Sequence, residues 1–322
     1  MAENDALFRR KVTVFGGTGF IGAHLVRRLA KHGARIEVVT RQPEHVMPLK
    51  PLGDPGQIVA VAGDILDPGA VAAAVARSDH VVNLVGILYE RGRQSFRAVH
   101  VGGARSIAKA AAEAGVRRLV QLSAIGASTR SPAAYGRSKA AGEAAVRKAF
   151  PGATVLRPSV VFGPEDQFFN RFAAMAQVSP VLPLIGGGRT RLQPVYVGDV
   201  AEAVVRSLER AETAGATFEL GGPQVLSLRE IMAYVVHITR RRRLLVPVPF
   251  WIADLMAAVL EWLPQPPLTR DQVKMLTRDT VVGRNAKGLA DLGITPVAIA
   301  TVVPDYLRIY RPGGGAARIA LA

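Results

Sequence analysis

The chain has 322 residues, with 41 Lys and Arg against 25 Asp and Glu, a formal charge of +16, and no cysteine. Disulfides, thiolate metal sites and cysteine nucleophiles are thereby excluded. Apolar residues make up 49% and charged residues 20%, which excludes a disordered chain and provides for a large core. No run of about 18 uncharged apolar residues occurs, so no segment is expected to span a bilayer. Met1 to Lys11 is polar and mixed in charge and predicts no export signal.

In chain order, short Val-rich runs alternate with longer Ala-rich stretches of helical spacing. Val12–Phe15, Ile36–Thr40, Ile58–Ala62, His80–Val85, Leu119–Ser123 and Thr154–Arg157 predict buried strands. Phe20–His32, Pro68–Arg77, Ser95–Ala114 and Ala134–Ala149 predict the intervening helices. Such alternation implies an α/β fold, a Rossmann-type doubly wound parallel sheet covered on both faces. The second half is less regular and implies a smaller C-terminal lobe. Asp166–Gln177 predicts a helix, Gly186–Gly188 a loop, Leu192–Val197 an extended run, Val200–Glu209 a helix opened by Asp199, and Thr217–Leu220 a strand. Ser227 with Glu230 has capping-box spacing, Leu244–Val248 predicts a strand, and Thr269–Leu276 a short helix. The expected organisation is an N-terminal extension (1–10), a nucleotide-binding core (11–165), an interleaved lobe (166–312) and a loose tail (313–322).

The first strand runs into Gly16-Gly17-Thr18-Gly19-Phe20-Ile21-Gly22, which opens the first helix. Glycines there permit a tight turn, close backbone approach to a pyrophosphate, and close helix–strand packing. The helix N-terminus then faces the negative charge. At the end of the second strand, where an acid would bind the NAD ribose, stand Val39, Thr40 and Arg41. Arg41 suits a 2′-phosphate, so NADPH/NADP is expected ahead of NAD. Ligands of open sheets lie beyond the strand carboxyl ends. On that ground Asp64-Ile65 either flanks the adenine or closes a turn, and Asn83, Val85 and Gly86 line the cofactor.

Tyr135 and Lys139 stand four residues apart, on one face of a predicted helix. An ammonium beside a phenol stabilises phenolate, so Tyr135 has the makings of a general acid or base. On Gly16–Gly22, Asp64, Asn83–Gly86, Tyr135 and Lys139 the chain resembles a short-chain dehydrogenase/reductase of the extended or atypical kind. That resemblance implies that the stretch including Pro158 and Val160 lies beside the nicotinamide. The segments Tyr135–Glu143, Phe162–Asn170, Gln193–Val200 and Pro266–Val273 narrow the likeness. They are similar to the nucleotide-binding accessory subunit of respiratory complex I, the alpha-subcomplex subunit-nine family, and its bacterial relatives. The resemblance implies a tightly held structural NADPH and docking on peripheral-arm subunits near the membrane. It implies a place at the cytoplasmic face of a bacterial inner membrane, peripheral and without a transmembrane helix.

One departure stands out. In Gln121-Leu122-Ser123-Ala124-Ile125-Gly126 the superfamily's active hydroxyl position falls on Ala124, with Ser123 one residue early. A missing donor of that kind costs roughly 3–4 kcal/mol of barrier; that favours a cofactor bound by Tyr135, Lys139 and Ser123 without efficient turnover, with these three kept as catalytic candidates and Ser128 or Thr129 as substitute hydroxyls. Three functions are therefore carried forward: a cofactor-holding accessory subunit, an active NADP-dependent reductase or epimerase/dehydratase, and an NADP(H)-sensing regulator.

The excess charge suits nucleic acid, an anionic membrane, an acidic partner, or a merely scattered surface. No aromatic residues interleave with the basic clusters, so no nucleic acid is expected. Trp251 to Pro264 reads either as a core helix, with a stripe of Ile252, Leu255, Met256, Val259 and Leu263, or as an interfacial segment. In the second case an anionic lipid surface would be met through Arg240 to Arg243 and Trp251 to Pro264. His24, His100 and His237 lack metal spacing and are assigned to packing or surface, and no metal is expected.

Overall fold

A computed structural model describes residues 6–313. Residues 1–5 of the expected extension, and all of the expected loose tail except Gly313, lie outside the described residues. The chain divides into two compact units, the first holding the residues up to Pro158 with Val197–Leu220 and Arg284–Thr295. The second holds Ser159–Tyr196, Gly221–Gly283 and the residues from Pro296 onward.

The first unit is built on β1 (Lys11–Phe15), β2 (Arg35–Thr40), β3 (Ile58–Ala62), β4 (His80–Asn83), β5 (Arg118–Leu122) and β6 (Thr154–Pro158). Its helices include α1 (Phe20–Lys31), α2 (Pro68–Val75), α3 (Ala104–Glu113) and α4 (Ala134–Ala149). Thr217–Leu220 joins as a seventh strand, in the order Thr217–Leu220, β6, β5, β4, β1, β2, β3. Every neighbouring pair is parallel. This is the doubly wound sheet expected from the alternation, with the order reversing beside β1, where such folds place a ligand. Phe15, Val39, Val81, Ile107, Leu119 and Val146 form part of its core.

Three local departures have physical causes. The expected strand to Val85 stops at Asn83, where the side chain takes over and Oδ1 accepts from Val85 N–H at 3.1 Å. The expected continuous helix from Ser95 instead opens with a π-helical segment, Arg97–Gly103, before α3. Gly103 sits against Ile65, where a Cβ would come within 2.6 Å of the Ile65 side chain. A 3₁₀ segment, Pro43–Leu52, follows β2 unannounced, and its Pro48 and Pro51 preclude regular α-helical bonding.

The second unit pairs Val161–Phe162 with Val195–Tyr196, Arg191–Leu192 with Leu226–Ser227, and Val181–Ile185 with Leu244–Val248. Phe162, Phe169, Leu184, Ile231 and Met232 are buried in its core. The capping box is formed: Ser227 Oγ accepts from Glu230 N–H at 3.2 Å and Ser227 N–H donates to Glu230 Oε2 at 2.7 Å. The expected apolar helix is Phe250–Leu260, but the core-stripe reading fails. Ala253 and Ala257 are its buried residues, whereas Leu255, Met256, Val259 and the following Leu263 are exposed. Among the described residues no helix is long and apolar enough to cross a membrane, and no group of His, Asp and Glu could hold a metal ion.

Candidate functional site

The site lies in the first unit, at the carboxyl ends of β1, β4 and β5. Gly16 turns the chain with φ +81° and lies against Leu84 and Val85, its built Cβ position 3.2 Å from both backbones. Gly22 packs on the same turn, and a Cβ there would fall 2.6 Å from Gly17 Cα. Gly17 lies under Val38, where a Cβ would come within 2.8 Å of a side-chain carbon of that residue. Gly19 is the N-cap of α1, without a side-chain cap and without an acid in the first turn. Thr18 is half-buried beside it, and Phe20 and Ile21 begin the helix, Phe20 edge-on to His24 at 5.8 Å. Unfilled N–H groups behind a glycine cradle fit a pyrophosphate by charge and by clearance. These residues therefore fit a dinucleotide.

The other expected residues take different parts. Asn83 is fully buried and spent on the protein itself, Nδ2 donating to Gln121 Oε1 at 2.9 Å while Oδ1 holds Val85 N–H. It shapes the Leu84–Gly86 wall, and both ends of its amide are engaged within the protein. Asp64 closes a turn, Oδ1 accepting from Leu66 N–H at 3.0 Å, and Ile65 packs on Gly103. Arg41 is exposed just beyond β2, its guanidinium within hydrogen-bond reach of the Gln94 side-chain amide at 3.1 Å. Pro158 ends β6, its carbonyl accepting from Ile125 N–H at 3.0 Å. Val160 packs in the core of the second unit.

Gly86 leads to the Tyr135–Lys139 pair. A Cβ on Gly86 would lie 3.0 Å from Lys139 Nζ, a tight contact that glycine avoids. Lys139 Nζ stands 5.7 Å from the Tyr135 ring centre. Burial pulls the Lys139 pKa down to about 8, opposed by the Glu143 charge, and burial pushes Tyr135 up to about 12. At neutral pH the pair is thus ammonium and phenol. Arg157 clamps Glu143, Nε to Oε1 at 2.9 Å and Nη2 to Oε2 at 2.6 Å, and also meets Glu219 at 3.5 Å.

His100, assigned by sequence to packing or surface, belongs to this site. Its Nε2 accepts from Ile87 N–H at 3.0 Å, so Nδ1 carries the proton and donates to Ser138 Oγ at 2.8 Å. Ser138 in turn donates to the Tyr135 carbonyl at 2.7 Å. The ring stacks on Phe96 at 5.4 Å and meets Tyr135 edge-on at 5.5 Å. Burial first, then the Lys139 charge, holds its pKa down at about 3, so it is neutral throughout the physiological range. No spacing rule could have found it, because Ile87 and Ser138 are 13 and 38 residues away.

Ser123 is buried, and its hydroxyl has no hydrogen-bond partner among the described residues. It therefore bonds neither Tyr135 nor Lys139. Ala124, at the expected hydroxyl position, supplies no side-chain donor.

The shifted lysine gives a pH signature. Its folded pKa lies below the unfolded value of about 10.4. Between about pH 8 and 10 the unfolded chain consequently binds the extra proton, and stability rises with pH. Above about 10 the raised Tyr135 pKa reverses the sign, because the unfolded phenol ionises first. Urea unfolding of the wild type should show stability climbing from pH 8 to 10, by about 2 kcal/mol. Lys139→Met should flatten that climb, and an equal climb in the variant would refute the assignment.

Comparison with known proteins adds to this geometry. The profile of the NAD dependent epimerase/dehydratase family matches residues 12–221. The mitochondrial NADH dehydrogenase (ubiquinone) 1 alpha subcomplex subunit 9 of Arabidopsis thaliana is 39% identical over 317 residues, 94% of this chain and 78% of that protein. The mitochondrial NADH-ubiquinone oxidoreductase 40 kDa subunit of Neurospora crassa is 35% identical over 302 residues, 93% of this chain and 79% of that protein. Among solved structures, the dTDP-glucose 4,6-dehydratase DesIV of Streptomyces venezuelae, with NAD bound, superposes with a TM-score of 0.71. It shares 22% identity across 95% of this chain and 98% of that one, a likeness of fold.

Proposed function

The chain belongs to the NAD dependent epimerase/dehydratase family, and from that premise we propose that it is an accessory subunit of respiratory complex I that holds NADP(H) without efficient turnover. The observation that carries this reading is identity of 35–39% to complex I subunits over more than nine-tenths of the chain, well beyond the nucleotide site. Its partners on this reading are peripheral-arm subunits near the membrane, at the cytoplasmic face of a bacterial inner membrane.

A nicotinamide cofactor supplies hydride chemistry when bound. The chain's own part is to receive the pyrophosphate on Gly16–Gly22 and α1, to present Val85 and Gly86 as a close wall, and to set Tyr135 and Lys139 toward ribose and nicotinamide. Inefficient turnover is supported by Ala124 and by the isolated Ser123 hydroxyl. A bound cofactor would also stabilise the folded chain by mass action. The intact Tyr135–Lys139 pair, phenol protonated and ammonium alongside, favours the alternative of an active NADP-dependent reductase or epimerase.

Affinity recovery of the tagged chain from gently solubilised native membranes tests the assignment. Quinone- and iron–sulfur-bearing subunits should come with it. Recovery alone from the soluble fraction would replace this reading with the enzyme. The cofactor choice has its own test. Arg41→Asp removes the cation suited to a 2′-phosphate and supplies an acceptor for a 2′-hydroxyl. It should weaken NADPH at least tenfold while leaving NADH unchanged or tighter, by titration calorimetry. Unchanged NADPH affinity would sink the 2′-phosphate role.

A further inference from the structure

The helix Phe250–Leu260 is inside out. Its buried contacts are made by Ala253 and Ala257, against Val273 with Ile185, Val248 and Leu268. Phe250 joins that cluster, but the large side chains of the opposite face point away from the protein: Trp251 is 70% exposed, Leu255 63% and Val259 69%, and just past the helix Trp262 is 90% exposed. Small residues inward and tryptophans outward is the reverse of what a free surface selects, because each exposed apolar side chain forgoes its burial energy. The face is therefore built to be covered.

Charge indicates the cover. Arg240, Arg241, Arg242 and Arg243 precede the strand Leu244–Val248, which itself exposes Leu244 and Val246. None of the four arginines has a carboxylate partner among the described residues; Arg241 and Arg243 donate to carbonyls of Tyr310 and Ala176. The acids of the helix region are already engaged, Asp254 with the Arg270 guanidinium at 2.9 Å and Glu261 with Arg270 N–H at 3.1 Å. An apolar face with a tryptophan near each end, on a unit that also carries an unpaired arginine run, matches an interfacial lipid contact. A second copy is disfavoured, since each chain carries +16.

We propose that Trp251, Leu255, Val259 and Trp262 seat this protein on an anionic lipid surface, with Arg240 to Arg243 supplying the attraction to headgroups. The proposal deepens the complex I reading by giving the subunit its own hold on the bilayer, yet its test needs no complex. Trp251 and Trp262 are the chain's two tryptophans, so intrinsic fluorescence reports on this face alone.

Purified full-length protein is titrated with vesicles of phosphatidylcholine containing phosphatidylglycerol, and with pure phosphatidylcholine. Anionic vesicles should shift the emission to the blue and expose it to quenching by brominated acyl chains, with at least tenfold weaker binding to neutral vesicles. Leu255→Ser with Val259→Ser should weaken vesicle binding at least tenfold with an unchanged melting temperature, both residues being exposed. Arg240→Glu with Arg242→Glu should remove the preference for anionic lipid. No blue shift with anionic vesicles overturns the proposal. So does a blue shift that depends on protein concentration alone, which assigns the face to a second copy, or one seen only on adding complex I, which assigns it to a protein neighbour. Co-recovery with complex I despite an absent shift would leave the subunit assignment standing and remove the lipid contact only.

Discussion

Gly22→Ala should abolish measurable dinucleotide binding and lower stability by at least about 2 kcal/mol, the range of forced overpacking. The added methyl would strike the Gly16 carbonyl oxygen and stand 2.6 Å from Gly17 Cα, backbone against backbone, where no rotamer change gives relief. The turn must open, and the N–H groups at the start of α1 lose their common aim. Gly19→Val provides the contrast. At Gly19 the nearest atom to a built Cβ is 3.4 Å away, an ordinary contact, and the backbone is extended at φ −80°, ψ 175°. This variant should melt within a degree or two of the wild type yet bind cofactor at least tenfold more weakly, because its side chain stands where the pyrophosphate would approach. Thermal melts with calorimetric titration of NADPH check both. A Gly22→Ala protein as stable and as tight-binding as the wild type would contradict the cradle.

Arg157→Leu is expected to cost about 3 kcal/mol in urea unfolding at pH 7, within the range for a broken buried pair. Glu143 is almost fully covered and is held by the two-pronged guanidinium clamp, while Glu219 leans on the same cation. The Glu143 hydrogen bond is likewise the main cause of the raised Arg157 pKa. Arg157 is itself partly exposed, and solvent screening keeps the expected loss at the lower end. Replacing both partners by leucine should recover most of the loss, since no carboxylate is then left uncompensated. A double variant as unstable as the single one would mean that the arginine acts through packing alone. Glu143 also follows Lys139 by one turn of α4, so Arg157 reaches the cofactor site indirectly, through the acid that opposes the lowering of the ammonium's pKa.

Much of the nucleotide site was legible because its determinants are local. A strand, four glycines and a helix start lie within a dozen residues, and, although Gly16 itself is pressed by Leu84 and Val85 from the end of β4, the steric demand on Gly22 is made by Gly16 and Gly17. The same holds for Tyr135 and Lys139, which helical periodicity alone puts on one face. Asn83 shows where position stops being informative. Its place at the end of β4 is evident, but its amide is spent on Gln121 and Val85, a choice made across the sheet. His100 shows the larger gap, since its neutral tautomer is dictated by Ile87, Ser138 and the Lys139 charge, none of them adjacent in the chain.

The second half was less legible for a related reason. Its pairings join short strands far apart in sequence, such as Val181–Ile185 with Leu244–Val248, and two-residue strands carry no periodicity. For Trp251 to Pro264 a helix was evident from apolar content alone. Hydrophobicity told that the segment needed burial, and the sequence left open against what. The amino-acid order by itself determined the doubly wound sheet, the glycine cradle and the paired phenol and ammonium, because each follows from repeating geometry within a few turns of chain. Only the tertiary structure decided which face of the apolar helix meets the protein, which histidine enters the site and how Ser123 is isolated. Those depend on packing between distant segments, where the lowest free energy is set by all the contacts a side chain can reach together.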